Sequence, residues 1–242
     1  MNTHFFEEFP TIKNLNKLSL ITWKHKLFLA AHSYKEFLHL QNNIKQINKK
    51  TECIYWPILQ GKEGYWISPF SKTSALKRIF QEIPNNQPIM LDLELPFRHP
   101  WRFLTTLPYF IKNKSLIKKF FHSHKHVYTA EYAVLWLSEI LGVSYCDKKH
   151  PHTKIFMYYT SMLSKHHTKW FVENSLPYTL KHTKKCMVGL GTIAIGILGN
   201  EPILSPNKLK EDIQEMKKLK VKDIIIFRLG GLNASYINAI KK

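Results

Sequence analysis

The feature that most limits the fold of this chain is an alternation. Short, continuously apolar runs are separated by stretches with helical spacing, and the order repeats along most of the sequence. Residues 27–31 (LFLAA), 52–59 (ECIYWPIL), 88–93 (PIMLDL), 154–160 (KIFMYYT), 187–197 (MVGLGTIAIGI) and 223–229 (DIIIFRL) read as strands. Between them, Ser33 and Glu36 have capping-box spacing and open a helix that runs to about Asn48. Residues 71–83 read as a helix, and 100–141 as a long, mainly helical stretch. Ser205-Pro206 is an N-cap followed by a first-turn proline, with a helix to about Lys220. Gly230-Gly231 precedes a last short helix.

Strands that are apolar without alternation belong in sheets covered on both faces. Strand–helix alternation then implies parallel βαβ units. At 242 residues the chain has the length of one small (β/α)₈ barrel, so the expected architecture is a single α/β domain over 1–242, a TIM-type barrel, complete or irregular. Six strands are plain, and 18–22 and the second half of 187–197 are the candidates for the other two. A doubly wound open sheet is the rival. It would carry Gly-x-Gly-x-x-Gly after its first strand, whereas Gly189-Leu-Gly191 comes late and is followed by Ala194.

Hydrophobic residues make up 44% of the chain and aromatics 13%, enough for a sizeable core and too many for a disordered chain. The longest weakly polar run, 187–199, is short for a membrane span and holds four glycines. The N-terminus shows no basic region followed by an apolar one, so no secretory signal is expected. Three distant cysteines without a Cys-x-x-Cys pair argue against a disulfide framework or a Cys zinc site, and a reducing cytoplasm is the expectation. Cys53 and Cys186 open apolar runs and read as small buried residues.

The formal net charge is +19, with 36 basic side chains of which only Arg78, Arg98, Arg102 and Arg228 are arginine. Readers of bases or phosphates favour the arginine fork, and a lysine-rich, arginine-poor chain also fits plain solubility in an AT-rich genome. The charge is uneven, however. No acidic residue lies between Leu95 and Ala130, and a basic, mainly helical segment covers about 97–128.

In a parallel barrel, reactive residues sit at the C-terminal ends of strands. Those ends here read Tyr55-Trp56-Pro57, Asp92-Leu93-Glu94, Tyr158 to Ser161, Gly199-Asn200-Glu201-Pro202 and Arg228. Asp92 and Glu94 are the sharpest pair. Residues i and i+2 of a strand share one face, with Cα atoms about 6.5 Å apart. Two carboxyls facing one apolar mouth repel, which raises one pKa and leaves a protonated acid beside an ionised partner. Glycoside hydrolysis requires such a pair. With only four aspartates in the chain, this placement carries weight. The alternative role is structural, as a helix N-cap or a salt bridge to Arg98 or Arg102.

The segments IMLDLE (89–94) and KIFMYYTSM (154–162) resemble the Asp-x-Glu strand and the later Tyr-Thr strand of barrel glycosidases of the lysozyme and chitinase type. The resemblance implies Glu94 as the proton donor, Asp92 as its supporting carboxylate and Tyr159 near the reacting sugar. Trp56, Tyr65, Trp66 and Trp101 lie near strand ends or in following loops, and sugars stack their C–H faces on such rings. Residues 61–70 (GKEGYWISPF) read as a substrate-lining loop. Glu201 and Arg228 complete the candidate substrate-binding set.

The expected function is therefore hydrolysis or binding of a carbohydrate polymer, with no cofactor or metal. Two alternatives stand beside it. Gly196 to Gly199 and Gly230-Gly231 could cradle a phosphate, giving a sugar-phosphate lyase or isomerase. The interleaved aromatics and lysines of 103–121 could instead hold an anionic polymer or membrane surface without catalysis. No nucleic-acid-binding motif is present. His122, His124 and His126 are close in sequence but have no neighbouring carboxylate, so a solvated basic patch is the expected role.

Overall fold

A computed structural model of the protein describes residues 1–95, 101–131, 136–162, 170–183 and 185–241. Eight strands follow one another: β1 (Asn2–Glu7), β2 (His25–Ala31), β3 (Thr51–Pro57), β4 (Ile89–Asp92), β5 (Val127–Glu131), β6 (Thr153–Tyr158), β7 (Cys186–Gly191) and β8 (Asp223–Phe227). Each pairs in parallel with its sequence neighbours, and β8 closes on β1 through pairs such as Phe5 with Ile226. The chain is a single closed (β/α)₈ barrel of the TIM type.

The core has two layers, set by the period of two along each strand. Phe6, Phe28, Ile54, Met90, Ala130, Ile155 and Ile225 fill the barrel. Their strand neighbours Phe5, Leu27, Leu29, Cys53, Ile89, Leu91, Ile224 and Ile226 face outward and pack under the helices. Both layers are apolar because both faces are covered, which is why the strands read as unbroken apolar runs. Full burial of a side chain such as Phe28 contributes about 1.5–3 kcal/mol.

The helices start where their caps predict. The Ser33 side chain accepts from the Glu36 amide while the Glu36 carboxylate accepts from the His32 amide, opening Tyr34–Ile47. Ser205 accepts from the Lys208 amide and opens Pro206–Lys218.

Two strand expectations are corrected. Residues 18–22 are not a strand: Asn16–Leu20 is a 3₁₀ turn in which Leu18 alone is fully buried and Leu20 is exposed. The second half of 187–197 is a loop over the barrel mouth, because β7 ends at Gly191. The missing strands are β1, disguised by Thr3, His4 and Glu7, and β5, which interrupts the long stretch expected to be mainly helical. Closure between β8 and β2 demands a strand at β1 despite its polar residues. The basic segment consists of Trp101–Thr106, a 3₁₀ turn and the helix Phe110–Ser123 before β5 begins; residues 97–100 and the Arg98 alternative lie outside the described residues. Cys53 is buried, as read from the sequence, and Cys186 is partly exposed.

Candidate active site

β4 presents its side chains alternately. Ile89 and Leu91 pack outward, so Met90 and Asp92 face the barrel interior. Leu93 continues the ladder by donating its amide to Ala130 O at 3.1 Å, which carries Glu94 back to the interior side. The two carboxyls thus enter one cavity at the C-terminal mouth of the barrel.

The same parity acts on β1. Phe5 faces out and Phe6 in, so Glu7 points outward and Glu8 lines the cavity. Glu7 accepts from Arg228 Nη1 at 2.9 Å and from the Gly230 amide at 2.6 Å. Glu8 accepts from the Tyr65 hydroxyl at 2.7 Å and from the Ile197 amide at 3.0 Å. The sequence reading overlooked Glu8. Its signal was a Glu-Glu pair after two phenylalanines, visible only once 2–7 is recognised as a strand.

The loop after β3 builds one wall. The Ile67 amide donates to Asp92 O at 3.0 Å, fastening the loop to the carboxylate strand. Arg78 grips Glu63 with two hydrogen bonds of 2.8 and 2.9 Å, and Ser71 Oγ donates to Trp66 O at 2.8 Å. Gly64 takes φ of 135°, a conformation open mainly to glycine, and turns the chain so that Tyr65 and Trp66 meet edge to face at 5.2 Å.

Trp56, Trp66, Tyr159 and Glu201 line the cavity with Asp92, Glu94 and Glu8. Three expected residues do not. Tyr65 stands behind Glu8 as its hydrogen-bond donor. Trp101 is 77% exposed on its helix, outside the cavity lining. Arg228 follows the inward Phe227 and so turns outward, where it pairs with Glu7, donates to Ile195 O at 3.0 and 2.8 Å and stacks on Phe9.

Burial raises the Asp92 pKa well above the usual carboxylate range, and Glu94 and Glu8 add repulsion. The nearby Trp56 indole N–H favours ionisation but makes no hydrogen bond of normal geometry. Glu8 is pushed up to about 7, chiefly by burial; Tyr65, Arg228 and the Ile197 amide oppose the rise, and Glu201 adds to it. The site therefore holds one carboxyl, Glu8, shifted to about 7, and a second, Asp92, shifted in the same direction, and groups that hold a proton longer than an ordinary carboxyl suit general acid catalysis.

The glycine loops do other work than cradling a phosphate. The Gly230 amide is taken by Glu7, those of Gly231 and Leu232 by backbone carbonyls, and those of Ile197 and Leu198 by Glu8 and Glu201. A Cβ on Gly231 would collide with the Ile193 carbonyl, so close packing explains that glycine. Among the described residues no group of three His, Cys, Asp or Glu is arranged to hold a metal. His122 lies 3.1 Å from His150, and the His124 ring stacks on Phe120.

No protein-family model matches the chain, and no curated protein matches it in sequence. Solved structures do match. The spore cortex-lytic enzyme SleL of Bacillus cereus aligns over 99% of this chain and 73% of its own, with TM-score 0.59 and 9% identity. A chitinase from Chromobacterium violaceum aligns over 99% and 98%, with TM-score 0.54 and 8% identity. A glycoside hydrolase family 18 N-acetylglucosaminidase from Paenibacillus barengoltzii aligns over 98% and 98%, with TM-score 0.52 and 10% identity. At these identities the likeness is one of fold: the chain resembles TIM-barrel glycoside hydrolases in structure.

Proposed function

We propose that the protein cleaves glycosidic bonds in a carbohydrate polymer. The observation that carries this reading is the joint entry of Asp92 and Glu94 into one aromatic-walled cavity at the barrel mouth. Glu94 protonates the leaving glycosidic oxygen as the C–O bond breaks, and the Glu94 carboxylate so formed takes a proton from the water that adds to the anomeric carbon. Asp92, beside it on the same face, passes its proton to Glu94 before that bond breaks and, as the carboxylate left behind, stabilises positive charge growing at the sugar ring. Trp56, Trp66 and Tyr159 offer faces for the sugar, and Glu8 shapes the field around Asp92. The fold neighbours named above act on glycans by their descriptions, which supports the same class.

The test is a pair of isosteric changes. Glu94→Gln and Asp92→Asn should lower cleavage of a soluble glycan by about 10² to 10⁴. Thermal unfolding should be unchanged or raised. Marked destabilisation with cleavage intact would assign the pair a structural role.

A second reading concerns the exterior. Lys118, Lys149 and His150 line a groove between the helix Phe110–Ser123 and the segment 144–150, with Lys114 capping the carbonyls of Glu139 and Ile140 at 2.7 and 2.8 Å. This groove supports attachment of an anionic polymer or surface, expected as binding that weakens steeply with salt and ignores changes at Asp92 and Glu94.

A further inference from the structure

We propose that the cavity selects a sugar unit bearing a free, protonated amine; this rests on the carbohydrate reading and narrows its substrate class. Four carboxyls converge there from separate parts of the chain: Glu8 after β1, Asp92 and Glu94 at the end of β4, and Glu201 in the loop after β7. The chain as a whole carries +19, yet among the described residues lining the cavity none is Lys, Arg or His. Arg228, the cation nearest in sequence to the mouth, is committed to Glu7 and Ile195 O.

A second observation is independent of the count of charges. Glu201 is 7% exposed; its Oε1 accepts from the Leu198 amide at 2.9 Å, while its Oε2 makes no hydrogen bond. Asp92 is 4% exposed, and its Oδ1 also makes none. A buried acceptor without a donor costs about 1–3 kcal/mol. Among the described lining residues no Lys, Arg or His stands beside these two oxygens, and neither accepts a hydrogen bond of normal geometry. An ammonium supplies both donors and charge, with three N–H groups and a unit charge. A hydroxyl at the same sugar position supplies one donor and no charge. An acetamide supplies one N–H and adds a carbonyl acceptor among acceptors. Burial raises the pKa values of Asp92 and Glu8, with repulsion from neighbouring carboxyls adding to it, and a bound cation would oppose both rises.

The aromatic lining argues for a sugar ring around that amine. Trp56, Trp66 and Tyr159 share the cavity with the carboxyls, and the Trp56 indole N–H, buried and without a hydrogen bond, is a donor for a ring hydroxyl oxygen. The basic exterior does not reverse the preference. Exposed charges are screened beyond about 8–10 Å at ordinary ionic strength, whereas the buried carboxyls act at contact distance.

Three tetramers of one β-1,4-linked backbone isolate the effect, because they differ only at C2: amine, acetamide or hydroxyl. Titration calorimetry at about pH 6 with the intact protein should give affinity for the amine tetramer about tenfold or more above the other two. Glu201→Gln keeps an Oε1 for Leu198 but removes the charge, and should erase most of the preference, so that the amine tetramer binds no tighter than the hydroxyl tetramer. Equal or tighter binding of the acetamide or hydroxyl tetramer by the unaltered protein overturns the amine proposal and leaves the carbohydrate reading standing. Failure of all three to bind overturns both.

Discussion

Asp92 and Glu131 sit on adjacent strands, and both are buried, yet they are opposite kinds of carboxylate. Glu131 faces outward. It accepts from Thr129 Oγ1 at 2.6 Å, Ser144 Oγ at 2.7 Å and Lys154 Nζ at 3.1 Å, and His152 Nε2 lies 3.5 Å away. Burial alone would raise its pKa, but His152, Lys154 and Thr129 outweigh burial and hold it below the usual value. Asp92 faces inward, where burial and the charges of Glu94 and Glu8 push its pKa up. Burial by itself therefore does not mark a reactive group. The difference lies in whether the fold supplies donors and a counter-charge, and a site that withholds both is the one prepared for a ligand.

The sharpest way to break this contrast is to neutralise each carboxylate in turn. Asp92→Asn should lower glycan cleavage by about 10² to 10⁴ without lowering the melting temperature, as measured by activity assay and calorimetry on the same preparation. Glu131→Gln should do the reverse. It leaves the Lys154 ammonium buried without its partner, costing about 3–5 kcal/mol. The melting temperature should drop by roughly 10 °C, since about 2–4 °C follows each kcal/mol in a chain of this size. If Asp92→Asn destabilises as much as Glu131→Gln, the two sites are alike and the catalytic assignment fails.

A subtler test uses pH. The folded-state pKa of Glu8, about 7, lies above its ordinary 4.5. Its contribution to stability is complete below pH 4.5 and is lost as pH rises through about 7, with a ceiling on the order of 3 kcal/mol. Glu131 has the opposite sign: its contribution is present above the ordinary value and is lost as pH falls through its depressed folded value. Glu8→Gln should flatten the stability profile between about pH 4.5 and 7 and leave the acid limb in place. An unchanged profile would mean that Glu8 is not titrating there. The groups that face Glu8 are Asp92, Glu201, Tyr65, the Ile197 amide and, more distantly, Arg228.

The smallest effect is expected at the edge of the site. Trp101→Ala should change stability by less than about 0.5 kcal/mol and leave glycan binding unaltered, because the ring is exposed outside the cavity. Trp56→Ala, by contrast, should weaken binding by calorimetry and destabilise by about 3–5 kcal/mol, because it removes a cavity wall that is also core.

Much of this could be read from sequence order. Unbroken apolar runs announced six of the strands, and Ser33 and Ser205 announced their helices. The i, i+2 spacing placed Asp92 and Glu94 on one face, because a strand's period is local. β1 escaped because its Thr3, His4 and Glu7 are polar. β5 escaped because Val127 to Glu131 follows a helix with no turn residue between them. In both cases pairing with neighbouring strands overrides local preference.

What the sequence determined by itself is the barrel class and the carboxylate pair, since both rest on periodicities only two to four residues long. The tertiary structure decided the rest. Barrel closure chose Glu8 rather than Glu7 to face inward, turned Arg228 away to Glu7, and brought Glu201 across from β7 to a site begun on β4. Those choices depend on which strands are neighbours and in what register they pair. That information is spread over more than two hundred residues, and no local pattern contains it.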